Sequence, residues 1–179
     1  MKVLALGGSG GMGRFSSYAI SNYSNITKVT IADLNEANAK EFSNHFDDRF
    51  TGIGLDVTDK EHLEKVMLDH DIVLNTTGPF FKFGLPILKS AIKCKCHYFD
   101  ICDDWEPTEE MLKLNDEAFK NDITAIVGLG ASPGISNLLG LKAMNELDET
   151  ESIITGWDVS SAKPEDESSQ KGTNAAMEH

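Results

Sequence analysis

Lys2-Val3-Leu4-Ala5-Leu6-Gly7-Gly8-Ser9-Gly10-Gly11-Met12-Gly13-Arg14-Phe15 runs from a short apolar segment through a glycine-rich turn into the start of a helical pattern. Gly8, Gly10 and Gly13 satisfy the G-x-G-x-x-G spacing between strand and helix. In that setting Gly8 permits the tight turn, Gly10 lets backbone approach a pyrophosphate without a Cβ in the way, and Gly13 lets the helix press onto the strand. Ser9 and the amides of Gly10, Gly11 and Met12 are then the donors to phosphate at a helix N-terminus. A glycine turn that binds nothing is the competing reading, and the flanking strand and helix weigh against it.

Beyond this stretch, apolar runs rich in β-branched residues recur at Lys2–Leu6, Val29–Leu34, Phe50–Val57, Asp71–Thr77, His97–Cys102 and Thr124–Leu129. Segments of helical length separate or follow them: Met12–Tyr23, Glu36–Phe46, Lys60–Asp69, Leu85–Lys93, Thr108–Lys120 and Ile135–Glu146. Continuously apolar strands alternating with helices predict an α/β fold, a doubly wound, six-stranded parallel sheet of Rossmann type with order 3-2-1-4-5-6. Residues 1–148 make this domain. Residues 149–179 read as the start of a second α/β domain, with a strand at Ser152–Ser160, a polar linker at Ala162–Gly172, and an end that resembles a cut.

Sixteen basic against 29 acidic residues give a net charge of −13. Such a surface repels nucleic acid and anionic lipid, so a bound dinucleotide must be held by local amides against the global field. The apolar start Met1–Leu6 is interrupted by glycines and has no cleavage pattern, and no run of 18 apolar residues exists; neither export nor a membrane span is expected. Cys94, Cys96 and Cys102 are an odd set that suits a reducing cytoplasm.

Asp33 closes the second strand 20 positions after Gly13, where an acid that grips the adenosine ribose belongs; its other reading is an N-cap, with Asn35 competing for that role. Leu34 follows instead of a cation, so NAD is expected, with NADP the alternative. Asp56-Val57 ends strand three and can flank adenine, or serve only in a turn. Thr76-Thr77-Gly78-Pro79 ends strand four and suits a loop beneath the middle of the cofactor, with turn chemistry again the alternative.

Gly8–Gly13, Asn75-Thr76-Thr77-Gly78-Pro79-Phe80, Tyr98-Phe99-Asp100 and Gly128-Leu129-Gly130-Ala131-Ser132-Pro133-Gly134 together resemble the N-terminal domain of the saccharopine dehydrogenase-like oxidoreductases. The resemblance covers the whole chain, and its specific part pairs the Asn-Thr-Thr-Gly-Pro loop with the Pro-Gly turn after strand six. It implies NAD(P) at the loops above and at Gly134. It also implies a second domain carrying most substrate contacts, and hydride transfer to an imine or secondary amine of an amino-acid or polyamine-type substrate. Two departures stand out. The saccharopine-reducing branch has an acid before the Pro-Gly turn, where Ser132 stands, and a cysteine followed by glycines, where Trp157-Asp158-Val159-Ser160 stands.

For proton transfer the candidates are the carboxylates at the end of strand five, Asp100, Asp103 and Asp104, with Asp103 and Asp158 put forward as catalytic residues. Helix capping explains the same acids. Cys94, Cys96, His97 and Cys102 lack zinc-knuckle spacing and read as packing thiols, so no metal is expected. His45, His62 and His70 read as lying on or near helix surfaces. Phe80, Phe81 and Phe83 read as core or interface residues, with a lid over the nicotinamide as the alternative. The expected partners are the small-molecule substrate and, at most, a second copy in a homodimer. The competing function is a Rossmann module that senses NAD(P)H without catalysis; a short-chain dehydrogenase is disfavoured because no Tyr-x-x-x-Lys pair follows strand four.

Overall fold

The computed structural model describes residues 1–156. Strands β1 (Lys2–Leu6), β2 (Lys28–Asp33), β3 (Phe50–Gly54), β4 (Ile72–Asn75), β5 (His97–Asp100) and β6 (Ala125–Ile126) form one sheet. Every pairing is parallel and the order is β3-β2-β1-β4-β5-β6, as the alternating pattern predicts. Helices α1 (Gly11–Ser21), α2 (Glu36–Ser43), α3 (Lys60–Met67), α4 (Phe80–Cys94), α5 (Trp105–Leu112), α6 (Asn115–Lys120) and α7 (Ser136–Asn145) complete the described chain.

Side chains alternate across β1 and β2, so each strand supplies both faces. Val3, Val29 and Ile31 pack with Phe42 and Phe50 on one side, while Leu4, Leu6 and Ala32 pack with Leu63, Met67, Ile87 and Leu88 on the other. Both faces are thus covered, which is why these strands read as unbroken apolar runs.

The elements differ from expectation mainly at their ends. Strands β4 and β5 stop two residues early because Asn75 and Asp100 each turn a side-chain oxygen back onto the amide two positions on, at Thr77 (3.0 Å) and Cys102 (3.0 Å). Asp33 does the same to Asn35 at 3.3 Å, so β2, β4 and β5 all end in an Asx-type turn. Helix α4 starts at Phe80 rather than Leu85, with Pro86 inside it. The single helix expected over Thr108–Lys120 is two, broken at Lys113-Leu114 ahead of Asn115-Asp116, residues that favour helix starts over interiors. No strand forms over residues 152–156, and the remainder of that expected strand lies outside the described residues.

His70 is not on a helix surface. It is 8% exposed, with Nδ1 on the Val66 carbonyl (2.8 Å) and Nε2 on the Thr30 hydroxyl (2.7 Å). The carbonyl can only accept, so Nδ1 carries the proton and Nε2 accepts from Thr30, a neutral imidazole. Burial, the largest influence, holds its pKa below the ordinary 6.5. The unfolded chain therefore takes up this proton first as pH falls. Stability due to His70 is fully present above about pH 6.5 and is lost below it. Melting should report lower stability at pH 5.5 than at pH 7. His70→Gln should flatten that slope; a variant with the parent's slope would place the titrating group elsewhere.

Among the described residues no helix is long and apolar enough to cross a membrane.

Candidate cofactor-binding site

The glycine turn sits at the carboxyl edge of the sheet, between β1 and α1. A Cβ built on Gly13 would lie 2.2 Å from the Gly7 carbonyl oxygen and 2.6 Å from the Gly8 Cα; one on Gly8 would lie 2.9 Å from the Ala5 carbonyl oxygen. These contacts allow helix and strand to approach only as glycines. Gly7, at φ +66°, is a further constrained position that the spacing motif does not include. Helix α1 begins with Gly10 as an N-cap that offers no side-chain oxygen, and its first turn has no acidic residue. The Gly10 amide, expected among the phosphate donors, is instead taken by the Gly7 carbonyl (3.0 Å), whereas the N–H groups of Gly11, Met12 and Gly13 precede the first intrahelical bond, from Arg14 N–H to the Gly10 carbonyl (2.9 Å), and so remain available to an anion.

Asp33 stands beside this turn. Its Oδ2 accepts from the Ser9 hydroxyl at 2.6 Å, which ties the phosphate loop to the end of β2. The N-cap role falls to Asn35, whose Oδ1 accepts from the Asn38 amide. Arg14 donates through Nε to the Ser9 carbonyl (3.0 Å), and its guanidinium stacks 4.8 Å from the centre of the Phe42 ring.

A crevice of about 230 Å³ opens between these elements. Gly7, Asp33, Leu34, Asp56, Val57, Thr77 and Gly78 line it, so the segments at the ends of four strands meet there, joined by Leu55 and Phe83. The Thr58 hydroxyl and amide hold the Asp56 carboxyl below the usual carboxylate range. Thr76 is turned inward, its hydroxyl on the Leu6 carbonyl at 2.8 Å. The Thr77 hydroxyl is buried yet has no hydrogen-bond partner. Buried hydroxyls are normally satisfied, so a donor left open at the wall of a crevice is a place for a ligand oxygen. The glycine cradle, the open first turn of α1 and this hydroxyl together fit the pyrophosphate and sugars of a dinucleotide.

Pro79 caps α4 without lining the crevice, and Gly134 lies in the wide turn Ala131–Ile135 after β6, packed on the Gly128 carbonyl. The carboxylates after β5 separate into different situations. Asp103 is exposed. Asp104 accepts from the first-turn amide of Phe81 at 3.2 Å. Asp100 is 0% exposed and cannot touch a ligand: Oδ1 accepts from the amides of Cys102 and Gly128 (3.0 and 2.8 Å) and Oδ2 from the Tyr98 hydroxyl (2.8 Å). Tyr98 in turn accepts from Asn75 Nδ2 at 2.9 Å. A buried chain of polar groups thus joins β4, β5 and the loop after β6. Burial pushes the Asp100 carboxyl up, and the two amides and the tyrosine hydroxyl pull it back. Asp158 lies outside the described residues.

The cysteines are packing groups. Cys96 and Cys102 are buried, and burial raises the Cys96 thiol to about 11. Among the described residues no three His, Cys, Asp or Glu side chains are placed to hold a metal. Phe80 is buried in the core, Phe83 walls the crevice and Phe81 is 67% exposed.

The saccharopine dehydrogenase NADP binding domain matches this chain over residues 3–126. The chain belongs to that family. The chain is similar to the saccharopine dehydrogenase [NADP(+), L-glutamate-forming] of Saccharomyces cerevisiae, 31% identical over 119 residues, or 66% of this chain and 25% of that protein. The enzyme of the same name from Pyricularia oryzae is 30% identical over 120 residues. This saccharopine dehydrogenase-type chain therefore spans about a quarter of the length of these relatives. The apo, histidine-tagged yeast saccharopine dehydrogenase (L-Glu forming) superposes with a TM-score of 0.68 at 29% identity, covering 81% of this chain and 31% of that one. A UDP-N-acetylglucosamine 3-dehydrogenase from Acidithiobacillus ferrooxidans (TM-score 0.52, 17% identity) covers 72% of this chain and 38% of that one, and shares the fold alone.

Proposed function

We propose that this chain is the dinucleotide-binding part of an NAD(P)-dependent oxidoreductase that acts on the C–N bond of an amino-acid or polyamine-type substrate, and that it prefers NAD. Family membership supports the class of reaction. The observation that carries the cofactor preference is Asp33, which lines the crevice beside exposed Leu34. A carboxylate accepts hydrogen bonds from both ribose hydroxyls and repels a 2′-phosphate. The family and the relatives are named for NADP, and the acid at the end of β2 is what supports NAD against those names.

The bound nicotinamide supplies hydride transfer; the protein orients it and excludes competing reactions. The amides of Gly11, Met12 and Gly13 would hold the pyrophosphate, the Thr77 hydroxyl would donate to a phosphate or sugar oxygen, and Leu34, Val57 and Phe83 would flank the adenine. Gly78, Pro79 and Gly134 would border the nicotinamide half. Exposed Asp103, on the ligand side of β5, is the proposed proton carrier among the described residues, and Asp158 is the second. Substrate contacts belong to sequence of the kind that fills the other three quarters of the relatives.

Fluorescence titration should show NADH binding more tightly than NADPH, with no turnover by the 179-residue chain. Asp33→Ser should cost NADH about tenfold in affinity, the size of one lost charged hydrogen bond, and bring NADPH level with it or ahead. Tighter binding of NADPH by the parent chain would overturn the NAD preference. Binding of neither dinucleotide would overturn the cofactor reading itself.

A further inference from the structure

A cavity larger than the cofactor crevice adjoins it. Between α3 and α4 lies a space of about 420 Å³, within the range of small-molecule sites and nearly twice the crevice's 230 Å³. Its walls are apolar, built from Leu63, Leu85, Pro86 and Ile87. Val57 and Phe83 belong to both spaces, so the two lie back to back at the adenine end.

The charge of its lining runs against the composition of the chain. Acidic residues outnumber basic ones 29 to 16, yet three lysines, Lys60, Lys82 and Lys89, line this cavity and no carboxylate does. Lys82 Nζ rests 4.8 Å from the centre of the Phe83 ring. Lys89 makes no ion pair among the described residues. Two acids stand beside it: Glu64, whose carboxylate meets Lys93 at 2.5 Å, the buried Ser90 hydroxyl at 3.4 Å and Lys60 at 3.8 Å, and Asp56, held by Thr58 and within electrostatic reach of Lys82. Lys93, outside the lining, makes the shortest of the Glu64 contacts, and the lining itself carries three ammonium groups and no carboxylate.

We propose that this chamber is a second ligand site, for a small organic anion that buries an apolar body against Leu63, Leu85 and Ile87 and leaves one carboxylate among Lys60, Lys82 and Lys89. Apolar walls favour burial of the body, and compact ammonium charges suit a single anionic head without demanding a fixed bidentate geometry. Val57 and Phe83 separate it from the adenine, so ligand and dinucleotide occupy the domain together.

Octanoate is the probe, with octan-1-ol as its uncharged counterpart, titrated calorimetrically into the 179-residue chain with and without NADH. The expected result is saturable, one-to-one octanoate binding at least tenfold tighter than octan-1-ol and undiminished by saturating NADH. Lys60→Met/Lys89→Met keeps the stems and removes two charges. It should weaken octanoate tenfold or more while leaving octan-1-ol, NADH and the melting temperature unchanged. Octanol binding as tightly as octanoate, displacement of octanoate by NADH, full affinity in the double variant, or no saturable binding would each overturn the proposal. So would a chain that self-associates through this face and excludes the probe.

Discussion

A chain carrying Gly13→Ala will show no NADH-dependent fluorescence change at concentrations that saturate the parent, and it will melt well below it. The added methyl would lie 2.2 Å from the Gly7 carbonyl oxygen, a backbone atom with no rotamer to escape through. Helix α1 must then move off β1, at a cost of about 3 kcal/mol or more, roughly 6–12 °C in Tm for a chain of this size. The same movement carries the amides of Gly11 and Met12 away from the phosphates. Two controls separate packing from binding. Gly52→Ala meets the Ala39 backbone at 2.3 Å where α2 crosses β3, and should cost similar stability while the folded fraction keeps its NADH affinity. Gly11→Ala meets nothing within 4 Å and should leave the melting temperature where it was. Normal NADH binding by Gly13→Ala would remove the phosphate-loop assignment.

Asp100→Ala should be the most destabilising single change at the ligand end of the sheet. It strips the acceptor from the buried Cys102 amide and Tyr98 hydroxyl and from the half-buried Gly128 amide. Each buried donor left unpaired costs about 1–3 kcal/mol, so a loss of about 4 kcal/mol or outright failure to fold is expected. Asp100→Asn keeps one oxygen for the two amides and loses only the tyrosine's acceptor, for about 1–2 kcal/mol. Tyr98→Phe leaves Asn75 Nδ2 and one carboxylate oxygen without partners and should cost a similar amount. Because Tyr98 and Asp100 share one bond, combining Tyr98→Phe with Asp100→Asn should cost less than the two single losses added. Denaturant melts of the four chains check this; an Asp100→Ala chain within 1 kcal/mol of the parent would show the network to be dispensable.

The sheet was readable from residue pattern because parallel strands buried on both faces leave an apolar run and glycine spacing fixes the first turn. Strand ends were not, since Asn75 and Asp100 look like strand interior until their side chains are seen folding back onto the backbone. The break at Leu114 carries no glycine or proline to mark it in the sequence. The crevice brings together Asp33, Leu34, Asp56, Val57, Thr77 and Gly78, all singled out by position at strand ends. Sequence alone leaves Phe83 between core, interface and lid, because nothing in a helical pattern tells which turn faces a crevice. Proximity groups Asp100 with Asp103 and Asp104; only burial separates a structural acid from an exposed one. His70 sits just past α3, where a short polar linker is the ordinary expectation, and its burial depends on Thr30 arriving from a distant strand.

The three side-chain turns that close β2, β4 and β5 bear on how such a scaffold diversifies. Each ligand-side segment leaves the sheet from an origin set by the strand's own last residue, before any of the segment's residues take part. Length and sequence beyond that origin are free to drift under selection for new substrates while the floor beneath the cofactor stays put. Conservation pressure should accordingly fall on Asp33, Asn75 and Asp100 and relax a few residues downstream.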